Sequence, residues 1–463
     1  PSFRWYDKDK QKLYVSGHDA PELNGRYSTG AGLMAGGSSI NNMMTGDAEK
    51  SMLTMANLLS GNPEEKKRRA EDVYLLMLDP YFFMRTIARF LGESALDVWQ
   101  YFKQKQANVQ PRLNRLHGGY PFIRAATTVL MRDLAASLVK LDVLRGSPSI
   151  YTTFVGYDEV AHHSGPWTDD AFQVLKKYDR VVAQIRDVAA RKAPRPYEIL
   201  ILSDHGQSFG ATFKQRYGVD LKAFIEQHLP HGTTVMQTAG GDDGSPGIGA
   251  MSAELANAQA QGVGGAAGQV VVKQASKLAQ RGARKAQVDD AQAGQANVTV
   301  CGSGNIAQVY FDLYPRKITV SELNAAYPGM LDALVQHEGV GFVVGYGDDG
   351  APLVLGKNGQ RNLHTGAIVG EDPLAPYAAG SRPPGGPRSA AVGAVGKASI
   401  EDRVWQVRRI ADFPHAGDLI VNSTVYPDGT VAAMEELIGN HGGMGGEQTD
   451  AFIFHPGDMP TPH

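Results

Sequence analysis

Two short stretches of this 463-residue chain set carboxylates and imidazoles at spacings that suit a metal ion. Asp158 and His162 stand four residues apart at the end of the apolar, β-branched run PSIYTTFVGYD (148–158). An Asp where a strand stops and a His one turn further on can face one ion above the carboxyl edge of a sheet, the edge where open α/β folds carry their sites. Asp204 and His205 close a second such run, YEILILSDHG (197–206), and Gly206 is expected to let the backbone turn sharply after them. Mixed oxygen and nitrogen donors suit Zn²⁺ or a similar transition ion better than Ca²⁺ or Mg²⁺, which prefer all-oxygen sites. A strand-end Asp is often only a helix cap, but an Asp-His pair buried at a strand edge needs a charge partner. Paired ions about 3.5–4 Å apart would clamp the attacking and leaving oxygens of an in-line displacement. The single cysteine, Cys301, excludes an intrachain disulfide and a thiolate cluster, so ligands must come from His, Asp and Glu.

The elements that must position these groups read as α/β. Residues 63–140 show charged and apolar residues at helical spacing, and a helical pattern from Asp169 to Ala190 joins the two apolar runs. Strand, helix, strand with apolar strands implies a βαβ unit, hence a mostly parallel sheet with helices on both faces. A short helical pattern begins near Ala48, with Thr45 and Asp47 as its expected caps. The stretch 239–296 turns to Gly, Ala and Gln and reads as a flexible insertion with a weak helix near 272–286. Order resumes at NIAQVYFDL (305–313); a helical pattern near 321–337 and the runs GVGFVVGY and APLVLG suggest a smaller α+β subdomain over 297–378. A loose stretch, 379–395, leads to a last segment, 396–463, with the strand DLIVNS (418–423) and the loop GNHGGMGGEQT.

Composition bounds the rest. Charged residues are 20% and hydrophobic ones 42%, as in a folded globular protein, and 45 basic against 48 acidic residues leave a net charge of −3. No basic field covers the surface, which argues against a dedicated nucleic-acid binder. The nearest approach to a membrane span, Val73 to Leu91, is interrupted by Asp79, Pro80, Arg85 and Arg89 and reads as a helix pair broken at Pro80 rather than a membrane-surface segment. The expectation is a chain that is soluble as given and, within a longer protein, membrane-associated.

The stretch YDEVAHHSGP, with its Asp-x-x-x-His-x-x-Gly-Pro pattern, resembles the type I phosphodiesterase/nucleotide pyrophosphatase branch of the alkaline phosphatase superfamily. SDHG (203–206) resembles that branch's second metal motif and GNHG (439–442) its late histidine motif, and the three occur in the family's order. The resemblance implies a metal-dependent phosphate-ester hydrolase, a phosphodiesterase above all, acting on a small-molecule ester through two zinc ions. Asp158, His162 and His441 would hold the ion that binds attacking water, and Asp204 and His205 the ion that activates the nucleophile. A Thr or Ser would carry the phosphoryl group as a phospho-enzyme. The family places that residue and a further Asp upstream of the first motif, where this sequence shows no matching strand; FRWYDKD (3–9) resembles the segment after the nucleophile helix, so the N-terminal strand and nucleophile are expected to be missing from 1–238. Thr45 is the in-chain substitute, set against its role as a cap. His163, Gln207 and Asn440 are expected near the pocket, and His364 is a lesser ligand candidate. Rival readings are a phosphomonoesterase or phosphomutase of the same superfamily, a non-catalytic metal-binding or membrane-associated module, and a helical partner-binding protein built on 63–140. A sulfatase is disfavoured because Cys301 lies too late in the chain.

Overall fold

The computed structural model describes residues 4–15, 18–57, 63–77, 80–238, 293–378 and 399–459. The expected insertion, apart from 293–296, and the expected loop at 379–395 lie outside them. The architecture is α/β, but the main sheet is not mostly parallel. Its eight strands run in the order Ile368–Gly370, Gly359–Asn362, Pro352–Gly356, Val340–Tyr346, Leu419–Ser423, Ile306–Phe311, Val298–Ser303 and Val235–Thr238. Only the last two neighbours are parallel; the others are antiparallel. The late strand Leu419–Ser423 sits in the middle, between Val340–Tyr346 and Ile306–Phe311.

Alternation of side chains along these strands serves two cores. Val298, Val300, Val309, Val343 and Val421 meet the short helices Val320–Ala326 and Met330–Gln336 on one face. On the other face Phe342, Val344 and Ile420 pack with Val407 and Ala411 of the helix Ile400–Ala411. The single helical pattern expected over 321–337 is broken into two helices at Pro328-Gly329, where Gly329 adopts positive φ.

An all-parallel arrangement occurs in a separate three-stranded sheet of Lys50–Met52, Ser38–Ile40 and Ile150–Thr152. Helices Pro63–Met77, Pro80–Gln106 and Arg132–Arg145 lie with it, and Ile40, Met52, Val73, Leu138 and Val143 share its core. Residues 50–52 are therefore strand where a helix near Ala48 was expected. Asp47 has φ +64, which no helix start adopts, and the short single-turn helix Met55–Asn57 comes only later. Thr45 and Asp47 instead close a loop: the Thr45 hydroxyl donates to Asn24 Oδ1 at 3.0 Å, and Asp47 accepts from the Gly32 amide at 2.8 Å.

The two apolar runs do not form one βαβ unit. Ile150–Thr152 pairs with Ser38–Ile40, whereas Ile201–Leu202 pairs antiparallel with Ile453–Phe454, and Ile201 and Leu202 are exposed. An apolar run favours a strand but carries no information on its partner, and no described pairing joins these two strands. The intervening helix is as expected in kind, Asp169–Lys192, with Thr168 capping its N-terminus by accepting from the Ala171 amide.

Candidate metal centre

Asp158 and His162 belong to the helix Gly156–Ser164 rather than to a strand end. The preceding strand stops at Thr152, and Gly156 begins the helix where a Cβ would lie 2.9 Å from Thr128. At a spacing of four the two side chains share one helix face, and Asp158 sits in the first turn, where the helix dipole favours a carboxylate. His162 Nε2 lies 3.2 Å from Asp158 Oδ2, and His441 Nε2 lies 3.4 Å from Asp158 Oδ1. One ligand atom from each of Asp158, His162 and His441 falls within 4.8 Å of the others.

His441 arrives from 280 residues downstream through a backbone interlock. Gly439–Asn440 pairs antiparallel with Ser208–Phe209, and the Ile438 amide donates to the His162 carbonyl at 3.0 Å. A Cβ on Gly439 would stand 2.2 Å from the Ala161 carbonyl oxygen, so only glycine lets the loop close on the ligand helix. The Gly439 carbonyl in turn accepts from His162 Nδ1 at 2.6 Å. A carbonyl can only accept, so Nδ1 carries a proton there and Nε2 is the ring nitrogen turned toward Asp158.

Electrostatics favour the ligand forms. Burial would raise the Asp158 carboxyl, but the imidazoles of His162 and His441 hold it well below the usual carboxylate range. Burial, against the pull of Asp158, brings the His441 imidazole down to about 4, so it is neutral at pH 7. Both ring nitrogens of His441 are buried without a hydrogen-bond partner among the described residues. Buried polar atoms are nearly always satisfied, so an orphaned imidazole facing a carboxylate and a second imidazole fits a site for a cation.

The second motif is only partly drawn in. The His205 ring stacks on the His441 ring at 3.4 Å between centroids, but the Asp204 side chain is 75% exposed and stands outside the three-residue cluster. Gly206 does not serve a sharp turn. A Cβ there would lie 2.0 Å from the Glu447 carbonyl oxygen, so the glycine is required by close packing of the 447–450 loop.

Gln207 is closer to the chemistry than a pocket wall: its amide donates to Asp158 Oδ1 and fixes the carboxylate. Asn440 is fully buried, and neither of its side-chain amide atoms finds a hydrogen bond among the described residues. His163 faces away, its ring stacked on Tyr120 at 3.8 Å and Nδ1 held by Glu159. His364 pairs with Asp412 at 3.1 Å near the surface and does not join the cluster.

Sequence reasoning missed the rest of the surroundings. A cavity of about 440 Å³ opens beside His205 and His441 and is also lined by Gln406, Arg409, Asn422 and Thr449. Arg409 comes from the helix Ile400–Ala411, whose amphipathic pattern gave no sign of proximity to a histidine in another segment. That helix starts at a capping box of Ser399 and Asp402.

No curated protein and no solved structure matches the chain. Residues 2–308 match the family described as type I phosphodiesterase / nucleotide pyrophosphatase, a stretch that includes Asp158, His162, Asp204 and His205 and ends before His441. With about two thirds of its length so matched and a candidate metal cluster built on the first motif, the chain belongs to the type I phosphodiesterase/nucleotide pyrophosphatase family.

Proposed function

We propose that this site hydrolyses a phosphodiester, with Asp158, His162 and His441 holding one divalent ion and Asp204 and His205 offering donors to a second. The observation that carries the reading is the buried, neutral His441, whose ring nitrogens lack hydrogen bonds beside Asp158 and His162. Two imidazoles and a carboxylate are the three-ligand set of an open catalytic zinc site, and zinc held there supplies a Lewis acid for a phosphoryl oxygen. The second pair is the weaker site, because two donors with an exposed carboxylate confer less affinity than three converging ones.

The chain's own groups prepare the cluster. Gln207 orients the Asp158 carboxylate, the Gly439 carbonyl fixes the His162 tautomer, and Arg409 brings a cation to the cavity for a phosphate oxygen. In the reaction a bond from the nucleophile oxygen to phosphorus forms as the bond to the leaving oxygen breaks. In this reading the phosphoryl group passes through an ester on a Thr or Ser hydroxyl before water releases it. Thr45 is a poor choice for that hydroxyl: it lines a different cavity, of about 990 Å³, with Asp47, Lys50 and Arg145.

The test is hydrolysis of an aryl phosphodiester and of the matching monoester by metal-stripped chain with and without added Zn²⁺. Zinc-dependent turnover with preference for the diester supports the reading. Preference for the monoester moves it to a phosphomonoesterase, and tight zinc binding without turnover of either makes the chain a metal-binding module.

A further inference from the structure

The 27-residue helix Pro80–Gln106 has two faces of opposite character. Glu93 and Asp97, its only acids, point inward and are buried. Arg124 meets both, at 3.0 and 2.8 Å, and Arg115 meets Asp97 at 3.1 Å. The outward face carries Tyr81, Met84, Leu91, Trp99 and Phe102, all exposed, with Tyr81 at 82% and Trp99 at 58%. At 100° per residue these five, together with Ala88 and Ala95, fall within about 80° of arc, a single apolar stripe running most of a helix about 40 Å long.

Every exposed charge on this helix is a cation. Arg85, Arg89, Lys103 and Lys105 flank the stripe, and Lys103 lies over the Trp99 ring at 5.3 Å. Arg89 and Arg132 share the single acid Asp133, and burial together with the nearby Arg85 lowers the ammonium pKa of Lys140 behind them. Soluble surfaces mix both signs of charge and interrupt apolar stretches; this face does neither. A second copy is a poor occupant, because a twofold contact through the stripe sets Arg85, Lys103 and Lys105 against cations of the other copy. No described helix is long and apolar enough to cross a membrane, and the inward acids rule this one out as a span.

We propose that the exposed face of helix Pro80–Gln106 docks on a membrane surface bearing anionic phospholipid. The aromatic stripe enters the headgroup layer with the helix lying in its plane, and the flanking Lys and Arg side chains reach lipid phosphates. The inward acids keep their partners, so docking requires no repacking of the layer that carries Tyr120, whose hydroxyl donates to the Glu159 carbonyl on the metal-ligand helix.

Co-sedimentation of the whole chain with vesicles of phosphatidylcholine alone, or of phosphatidylcholine with phosphatidylserine, tests the proposal. The chain should pellet with the anionic vesicles and scarcely with the neutral ones, and added salt should weaken the binding. The triple change Arg85→Glu, Lys103→Glu, Lys105→Glu should lower binding by more than about tenfold. Trp99→Ser with Phe102→Ser should do so comparably, and both variants should keep the parent melting temperature because the altered side chains are exposed. Equal pelleting by parent and variants, or none with the anionic vesicles, would overturn the proposal. So would a dimer of the parent, seen in sedimentation equilibrium, that the same substitutions dissolve.

Discussion

Helix Gly156–Ser164 carries two acid–histidine pairs at the same spacing, Asp158 with His162 and Glu159 with His163, one residue out of phase. The first faces His441 across a gap with ligand atoms converging, while in the second the His163 ring stacks on Tyr120 and its Nδ1 bonds the Glu159 carbonyl one turn back. Close by, a larger set of buried charges, Arg124 and Arg115 with Glu93, Asp97 and Asp170, is paired cation to acid. Buried charge by itself therefore does not mark a site. What separates the regions is whether the donors converge on one another or are already consumed by partners of opposite sign.

The comparison can be broken from either side. His441→Ala should give the largest effect, abolishing tight zinc binding and lowering zinc-dependent diester hydrolysis by more than about a hundredfold. Calorimetric titration and a turnover assay would read both, and unchanged zinc affinity would contradict the assignment. Arg124→Met removes the cation shared by Glu93 and Asp97 and should cost about 3–5 kcal/mol of stability in urea unfolding, because it leaves buried acids uncompensated. Its zinc affinity, measured on folded protein, should stay near that of the parent. Gln207→Ala leaves the three ligands in place but frees the Asp158 carboxylate, and should weaken zinc binding by about 10–100-fold with little change in unfolding. The smallest change belongs to His163→Ala, which loses the ring stack on Tyr120, about 1 kcal/mol, and should leave the zinc isotherm where it was. A large fall in affinity there would mean that the two faces of the helix are not independent.

The parts of this arrangement that were legible in the sequence are those fixed by short-range chemistry. The nearness of Asp158 to His162, the strand at Leu419–Ser423 and the helix Asp169–Lys192 follow from spacing or apolar runs, although the first pair lies on a helix face and not at the expected strand end. His441 entered only through a family motif, because nothing local marks a loop histidine as the partner of a helix 280 residues away. Pairing partners were illegible for the same reason: the run ending at Leu202 reads as a buried parallel strand, yet it pairs antiparallel with Ile453–Phe454 and is exposed. Gly206 and Gly439 show a subtler limit. Glycine in sequence suggests a turn, but at both positions it is demanded by a carbonyl from another segment, Glu447 at Gly206 and Ala161 at Gly439. Thr45 and Asp47 looked like caps because capping and loop closure draw on the same hydrogen-bonding residues, and only the positive φ of Asp47 separates the two.

The central claim is that Asp158, His162 and His441 form the tight metal site. Calorimetric titration of the metal-stripped chain with Zn²⁺, beside His441→Ala and Asp204→Ala, tests it most directly. One high-affinity ion in the parent, lost in His441→Ala and kept in Asp204→Ala, is the predicted result. High-affinity binding that survives His441→Ala, or that disappears in Asp204→Ala alone, would contradict it.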